Sequence, residues 1–204
     1  MSKKLQLANQ LIPFLPIEAI PQIAEWIDEH KIILTITEKR NSVFGNYMRP
    51  TKEKGHLISV NGDLNRFAFL VTFVHEMAHL QVWLNFGDKI NPHGKEWKNE
   101  FKKLMLPFFS MKIFSAELEM ALAKYLTNPS SSSCFDEGLM RALKKFDKEI
   151  LPFVGDLQVG EKFKTENGKI FQRGKKIRTR IECVEISTNK IYLFNPIAEV
   201  KKVE

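Results

Sequence analysis

An α+β fold is predicted by three features of the 204-residue sequence. The window from Leu64 to Phe86 is apolar on nearly every face and holds neither glycine nor proline, which marks a buried central helix. β-Branched runs at Lys31–Thr37 and His56–Asn61 read as strands of a small antiparallel or mixed sheet packed on helices. From Val159 onward apolar residues recur with period two, the pattern of a small antiparallel β module. The expected organisation is a helix-and-sheet core over 1–127, a linker and helix over 128–158, and the β module over 159–204.

Taken in order, residues 3–12 and 17–29 read as short helices divided by Pro13 and Pro16. Ile17, Ile20, Ile23, Ala24 and Ile27 recur at spacings of three and four and form one apolar face. After the strand Lys31–Thr37, Ser42–Met48 and His56–Asn61 complete the sheet, with the charged loop Arg49–Gly55 between them. Asn61 or Asp63 is placed to cap the central helix, and Gly87 to end it. A second long helix is expected from His93 to about Leu106, with Trp97, Phe101 and Leu104 on its inner face bracing His93. Ser115–Tyr125 and Asp136–Leu151 are further helical stretches, separated by the polar, helix-breaking segment 128–133. In the β module, Asn167-Gly168 and Asn189 fall at hairpin turns and give four or five strands.

The central helix carries His75-Glu76-Met77-Ala78-His79. Residues i and i+4 lie about 40° apart around a helix, so the two imidazoles share a face and can bind one metal ion. Glu76 falls beside that pair, where a general base takes a proton from a metal-activated water. Burying these three polar side chains without partners costs roughly one to three kcal/mol each, and a metal compensates directly. A catalytic zinc usually takes three protein ligands. The metzincin extension would need Gly at 82 and His at 85, and Val82 and Asn85 exclude it. Glu96 and Glu100 on the next helix are candidates, as is His93, 14 residues after His79. Pro92 stiffens the approach to His93, and Gly94 lets the backbone come close to the ion. Imidazole is a preferred zinc ligand, so His93 is favoured over the two glutamates. His30 and His56 receive no role.

His75-Glu-Met-Ala-His79 followed by His93-Gly-x-x-Trp97-Lys98 resembles the SprT-like metallopeptidases, the family that includes the Spartan proteases. Lys39-Arg40-Asn41-Ser42-Val43-Phe44-Gly45-Asn46-Tyr47 is similar to the family's Arg-x-Ser-x-x-Gly-x-Tyr/Phe stretch, and His56–Asn61 to its strand before the active-site helix. The similarity covers about residues 30–110. It implies a minimal zincin-like core, one Zn2+ held by His75, His79 and His93, and Glu76 as the catalytic base. It also implies a protein or peptide substrate, with action on DNA-associated or DNA-crosslinked proteins. Tyr47 and Arg40 are candidates for a further donor to the oxyanion. Many relatives carry a zinc ribbon built from two cysteine pairs. This chain has only Cys134 and Cys183, so the β module stands in the ribbon's place without metal.

Composition fits a soluble, cytoplasmic enzyme: 44% hydrophobic and 27% charged residues, few cysteines, and no signal-like N-terminus. No uninterrupted apolar run reaches the some 18 residues of a membrane span. The formal charge is +7. Between residues 161 and 180 stand Lys162, Lys164, Lys169, Arg173, Lys175, Lys176, Arg178 and Arg180 against only Glu161 and Glu166. Arg173, Lys175, Lys176, Arg178 and Arg180 are the candidate contacts to nucleic acid, DNA above all, with Phe163, Phe171 and Tyr192 offered as stacking faces. The expected function is a zinc metallopeptidase. The alternative is a nucleic-acid-associated binding or adaptor protein whose metal core is structural.

Overall fold

The computed structural model describes residues 3–40, 43–130 and 136–203. Asn41 and Ser42 of the family-like stretch, Ser131–Ser133 of the polar segment and Cys134 lie outside the described residues. The chain is mixed α and β, and it divides into two units, Met1–Asp147 and Lys148–Glu204.

The first unit opens with α1 (Lys3–Leu11) and α2 (Ile20–Glu29). Ile20, Ile23, Ala24 and Ile27 bury one face of α2 as their spacing requires. Ile17 does not join them. It sits in a short 3-10 turn ahead of the helix, off the helical register, and is 64% exposed. Three strands follow: β1 (Ile33–Thr37), β2 (Gly45–Met48) and β3 (Leu57–Asn61). Their order is β1-β3-β2, with β1 parallel and β2 antiparallel to β3, so the sheet is mixed. β2 is therefore an edge strand.

α3 (Arg66–Phe86) is the central helix, with Ala68 through Ala78 and Leu80 buried. It is long and apolar enough to cross a membrane, yet 67% of its apolar window is buried inside the protein, as in a core helix. Its cap is Asn65, not Asn61 or Asp63: Asn65 Oδ1 accepts the amides of Phe67 and Ala68. Asn61 is instead a buried sheet residue. Its Oδ1 accepts from Arg40 Nε at 2.7 Å, and its Nδ2 donates to the carbonyl of Arg40 at 3.0 Å. Gly87, at φ 65°, ends the helix as glycine can.

α4 (Lys95–Ser110) starts two residues later than the spacing suggested and runs through Pro107. α5 (Ala116–Thr127) and α6 (Glu137–Lys144) are capped by Ser115 and Asp136. α6 is half the predicted length, and it belongs to the first unit rather than to a linker. Leu139, Ala142 and Leu143 lie in the same apolar cluster as α3 and α4, and the division falls after Asp147.

The second unit is a five-stranded antiparallel sheet: β4 (Lys162–Lys164), β5 (Ile170–Ile177), β6 (Arg180–Glu185), β7 (Ile191–Phe194) and β8 (Lys201–Val203). The order β7-β6-β5-β4-β8 is a meander whose last strand returns to pair with the first. Its own core contains Val154, Leu157, Phe163, Phe171, Ile181, Cys183 and Val200. Gly168 and Asn189 take positive φ in the expected turns, and Arg178 does so in a third.

Candidate metal centre

The two histidines of α3 and the loop histidine before α4 meet. His93 Nε2 lies 3.1 Å from His75 Nε2 and 2.9 Å from His79 Nε2. A tetrahedral zinc with bonds of about 2.0–2.1 Å sets its ligand nitrogens about 3.3 Å apart, close to what is seen. The three ligand atoms all lie within 4.8 Å of one another, and among the described residues no glutamate joins the group. Glu100 pairs with Lys103 at 3.8 Å, and the Glu96 carboxylate lies against Gly94.

The rings are held as neutral donors. Burial first, then the neighbouring histidines, pushes the pKa of His75 down to about 2 and that of His79 to about 4. Burial also lowers His93. Neutral imidazole is the form that binds a cation, so the donor set fits a divalent ion that favours nitrogen. His75 Nδ1 is buried without a hydrogen-bond partner. Its ring is therefore fixed by packing rather than by the usual carbonyl or carboxylate behind a metal-binding histidine.

That packing comes from Trp97. Its ring stands 4.5 Å from His75, 4.7 Å from His93 and 5.4 Å from His79 by centroid, stacks on Phe101 at 5.1 Å, and is wholly buried. Its indole N–H donates to the carbonyl of His75 at 3.3 Å. Trp97 thus braces all three imidazoles, not His93 alone. The backbone freedom also sits elsewhere than the sequence suggested. His93 itself adopts φ 61°, while Gly94 is extended and caps α4. Such a left-handed residue costs of order 1–3 kcal/mol and is held only by its surroundings.

Glu76 is buried beside the histidines. Burial raises its pKa to about 8, opposed by the Tyr47 backbone amide and the charge of Arg40. The edge strand β2 lies directly over it. A Cβ on Gly45 would stand 2.7 Å from Thr72 Cγ2 and 2.8 Å from Glu76 Oε1, so only glycine admits this approach. An isolated glycine in a strand is the sequence signal for such a contact.

Neither proposed oxyanion donor is free. Arg40 donates to Asn61 Oδ1 and, at 3.1 Å, to Ser59 Oγ, which ties the loop before β2 to β3. The Tyr47 hydroxyl lies 2.9 Å from His56 Nδ1, with His56 edge-on to Trp83 at 5.2 Å. Burial, then Asp88, pushes the Tyr47 pKa to about 12, and burial lowers that of His56. The phenol thus stays protonated, and the tautomer of His56 sets which of the two donates. His56 consequently has a role, holding Tyr47, and His30 Nε2 meets Gln81 Nε2 at 2.9 Å.

In the second unit Lys175, Lys176, Arg178 and Arg180 are exposed, while Arg173 is half-buried with its Nε buried and unpartnered. Phe163 and Phe171 are core residues, stacked 5.6 Å apart, and offer no face to a base. Only Tyr192, 38% exposed, remains of the three.

Residues 33–116, from β1 to the first residue of α5, match the SprT-like family, and the chain carries a SprT-like domain there. Among curated proteins it is similar to Protein SprT of Cronobacter sakazakii and of Erwinia tasmaniensis, each 57% identical over 35 residues, 17% of this chain and 20% of the relative. Protein SprT of Escherichia coli matches at the same identity over 21% of its length. The chain thus spans about a fifth of the curated relatives it matches. No solved structure matches it.

Proposed function

We propose that this chain is a zinc-dependent metallopeptidase with a minimal zincin-like core. The observation that carries this is the convergence of His75, His79 and His93 Nε2 on one point, with the buried carboxylate of Glu76 one residue along the same helix. The three imidazoles would hold the ion. When bound, zinc supplies a Lewis acid that acidifies a water and polarises the scissile carbonyl. Glu76 takes the proton of the attacking water and returns it to the leaving amine. The Tyr47 amide orients Glu76 for both steps, and Trp97 keeps the three rings in place. A purely structural metal site has no need of a buried base, which favours hydrolysis over the adaptor reading. For substrate class we propose proteins associated with DNA, supported by the basic second unit.

The test combines zinc content with peptide hydrolysis. Wild type and Glu76→Gln should each bind one zinc, with hydrolysis confined to wild type. His93→Ala should lose both zinc and activity, whereas Glu96→Ala and Glu100→Ala should keep zinc. Hydrolysis by Glu76→Gln at the wild-type rate overturns the assignment of the base. Zinc retained by His93→Ala overturns the third ligand.

A further inference from the structure

Three lysines of the second unit pair with acidic side chains of that unit. Lys169 pairs with Glu185 at 2.9 Å, Lys202 with Glu161 at 2.6 Å and Lys201 with Glu149 at 3.9 Å. Lys175, Lys176, Arg178 and Arg180 are exposed and, among the described residues, have no ion-pair partner. No acidic residue lies between Gln172 and Ile181.

The fold gathers these four at one end of the β5–β6 ribbon. β4 pairs with β5 only over Ile170–Gln172, and β7 pairs with β6 only over Ile181–Val184. From Lys175 to Arg180 the two strands therefore pair only with each other. The register shifts between Arg173 and Lys176, a bulge that adds twist. Gly174 makes the bulge fit, because a Cβ there would stand 2.8 Å from the carbonyl of Glu182. Past the bulge, Lys176 is opposite Ile181 and Ile177 is opposite Arg180. Lys176 and Arg180 thus project from opposite faces of the ribbon. Arg178, at φ 52°, stands at the tip.

We propose that this two-stranded end binds double-stranded nucleic acid by entering a groove, its four cations neutralising phosphates on both walls. This deepens the nucleic-acid part of the proposed function and rests on that part alone; hydrolysis is not required for it. The duplex major groove, about 12 Å wide, admits a two-stranded ribbon. Cations on both faces suit two phosphate walls, whereas a membrane surface meets one face. Single strands are held mainly by aromatic stacking. Two of the three aromatics are in the core here, and Tyr192 lies beneath Lys169, whose Nζ is 5.8 Å from the ring centroid.

The test uses the full chain and fluorescence anisotropy with a labelled duplex of about two helical turns, some 20 base pairs. The same strand unpaired and phosphatidylserine vesicles serve as competitors. Replacing Lys175, Lys176, Arg178 and Arg180 together by Gln should leave the thermal transition unchanged and reduce the slope of log K against log salt by about 3–4, at ~0.9 per phosphate contact. Lys175→Gln with Lys176→Gln alone should remove about half of that slope, and Lys201→Gln with Lys202→Gln little of it. Glu76→Gln should bind duplex as wild type does. A chain that binds duplex but does not hydrolyse peptides therefore refutes the hydrolytic reading and leaves this one standing. An unchanged slope in the quadruple variant, tighter binding of the single strand, or binding of vesicles without duplex overturns the proposal.

Discussion

Glu76→Gln should make the metal-free protein more stable at neutral and alkaline pH. Burial lifts the Glu76 pKa from 4.5 to about 8. Between those values the folded chain keeps a proton that the unfolded chain has released, so stability falls as pH rises through the window. Each pKa unit corresponds to about 1.4 kcal/mol, which makes the full ionisation cost about 4–5 kcal/mol and the cost at pH 7 about 3. Glutamine has no proton to lose and can still accept from the Tyr47 amide. Urea unfolding in excess chelator should therefore give similar stabilities for the two proteins at pH 4.5 and a gap that widens to several kcal/mol by pH 8. The lowered pKa values of His75 and His79 act in the opposite direction: stability is lost as pH falls below about 6.5, because the unfolded chain gains protons there. Both proteins share that loss, so their difference isolates Glu76. With zinc present the adjacent charge favours the carboxylate, and the gap should shrink. Parallel stability curves for the two proteins across this pH range would refute the buried-carboxylate argument.

Gly45→Ala should preserve one zinc per chain and lower peptide hydrolysis roughly 10- to 100-fold. The added Cβ collides with Thr72 and with the Glu76 side chain, and small misplacements of a catalytic group are costly. Zinc analysis beside steady-state rates checks this. Trp97→Ala should lower unfolding stability by about 3–5 kcal/mol, the range for emptying a buried aromatic site, and should weaken zinc retention against a chelator. Asn65→Ala removes an oxygen that caps two amides and a side-chain amide that donates to the carbonyl of Leu143. Chemical denaturation should register a loss of about 1–2 kcal/mol.

Local patterns in the chain predicted whatever depends on short stretches. The unbroken apolar run around His75 marked α3, the i, i+4 spacing put His75 and His79 on one face, and Gly87 marked the helix end. Period two marked the second unit, because alternate residues of a strand share a face. Features that depend on what a segment meets in space were missed or misplaced. Asn61, Asp63 and Asn65 are all competent caps by residue type. Burial against Arg40 assigned Asn61 to the sheet and left the cap to Asn65. Phe163 and Phe171 carry no sign of whether they face a core or a ligand, and packing with Val154, Leu157, Ile181 and Val200 assigned them to the core.

The sequence by itself determined the chemistry on offer: two imidazoles one helical turn apart, a carboxylate next to the first, and a third histidine within reach. Only the tertiary structure decided that His93 rather than Glu96 or Glu100 completes the group, that one indole backs all three rings, and that a glycine on an edge strand covers the carboxylate. The reason is that helical spacing is a property of one segment. The return of a loop, the stacking of an aromatic floor and the approach of a strand are set by packing between segments distant in the chain.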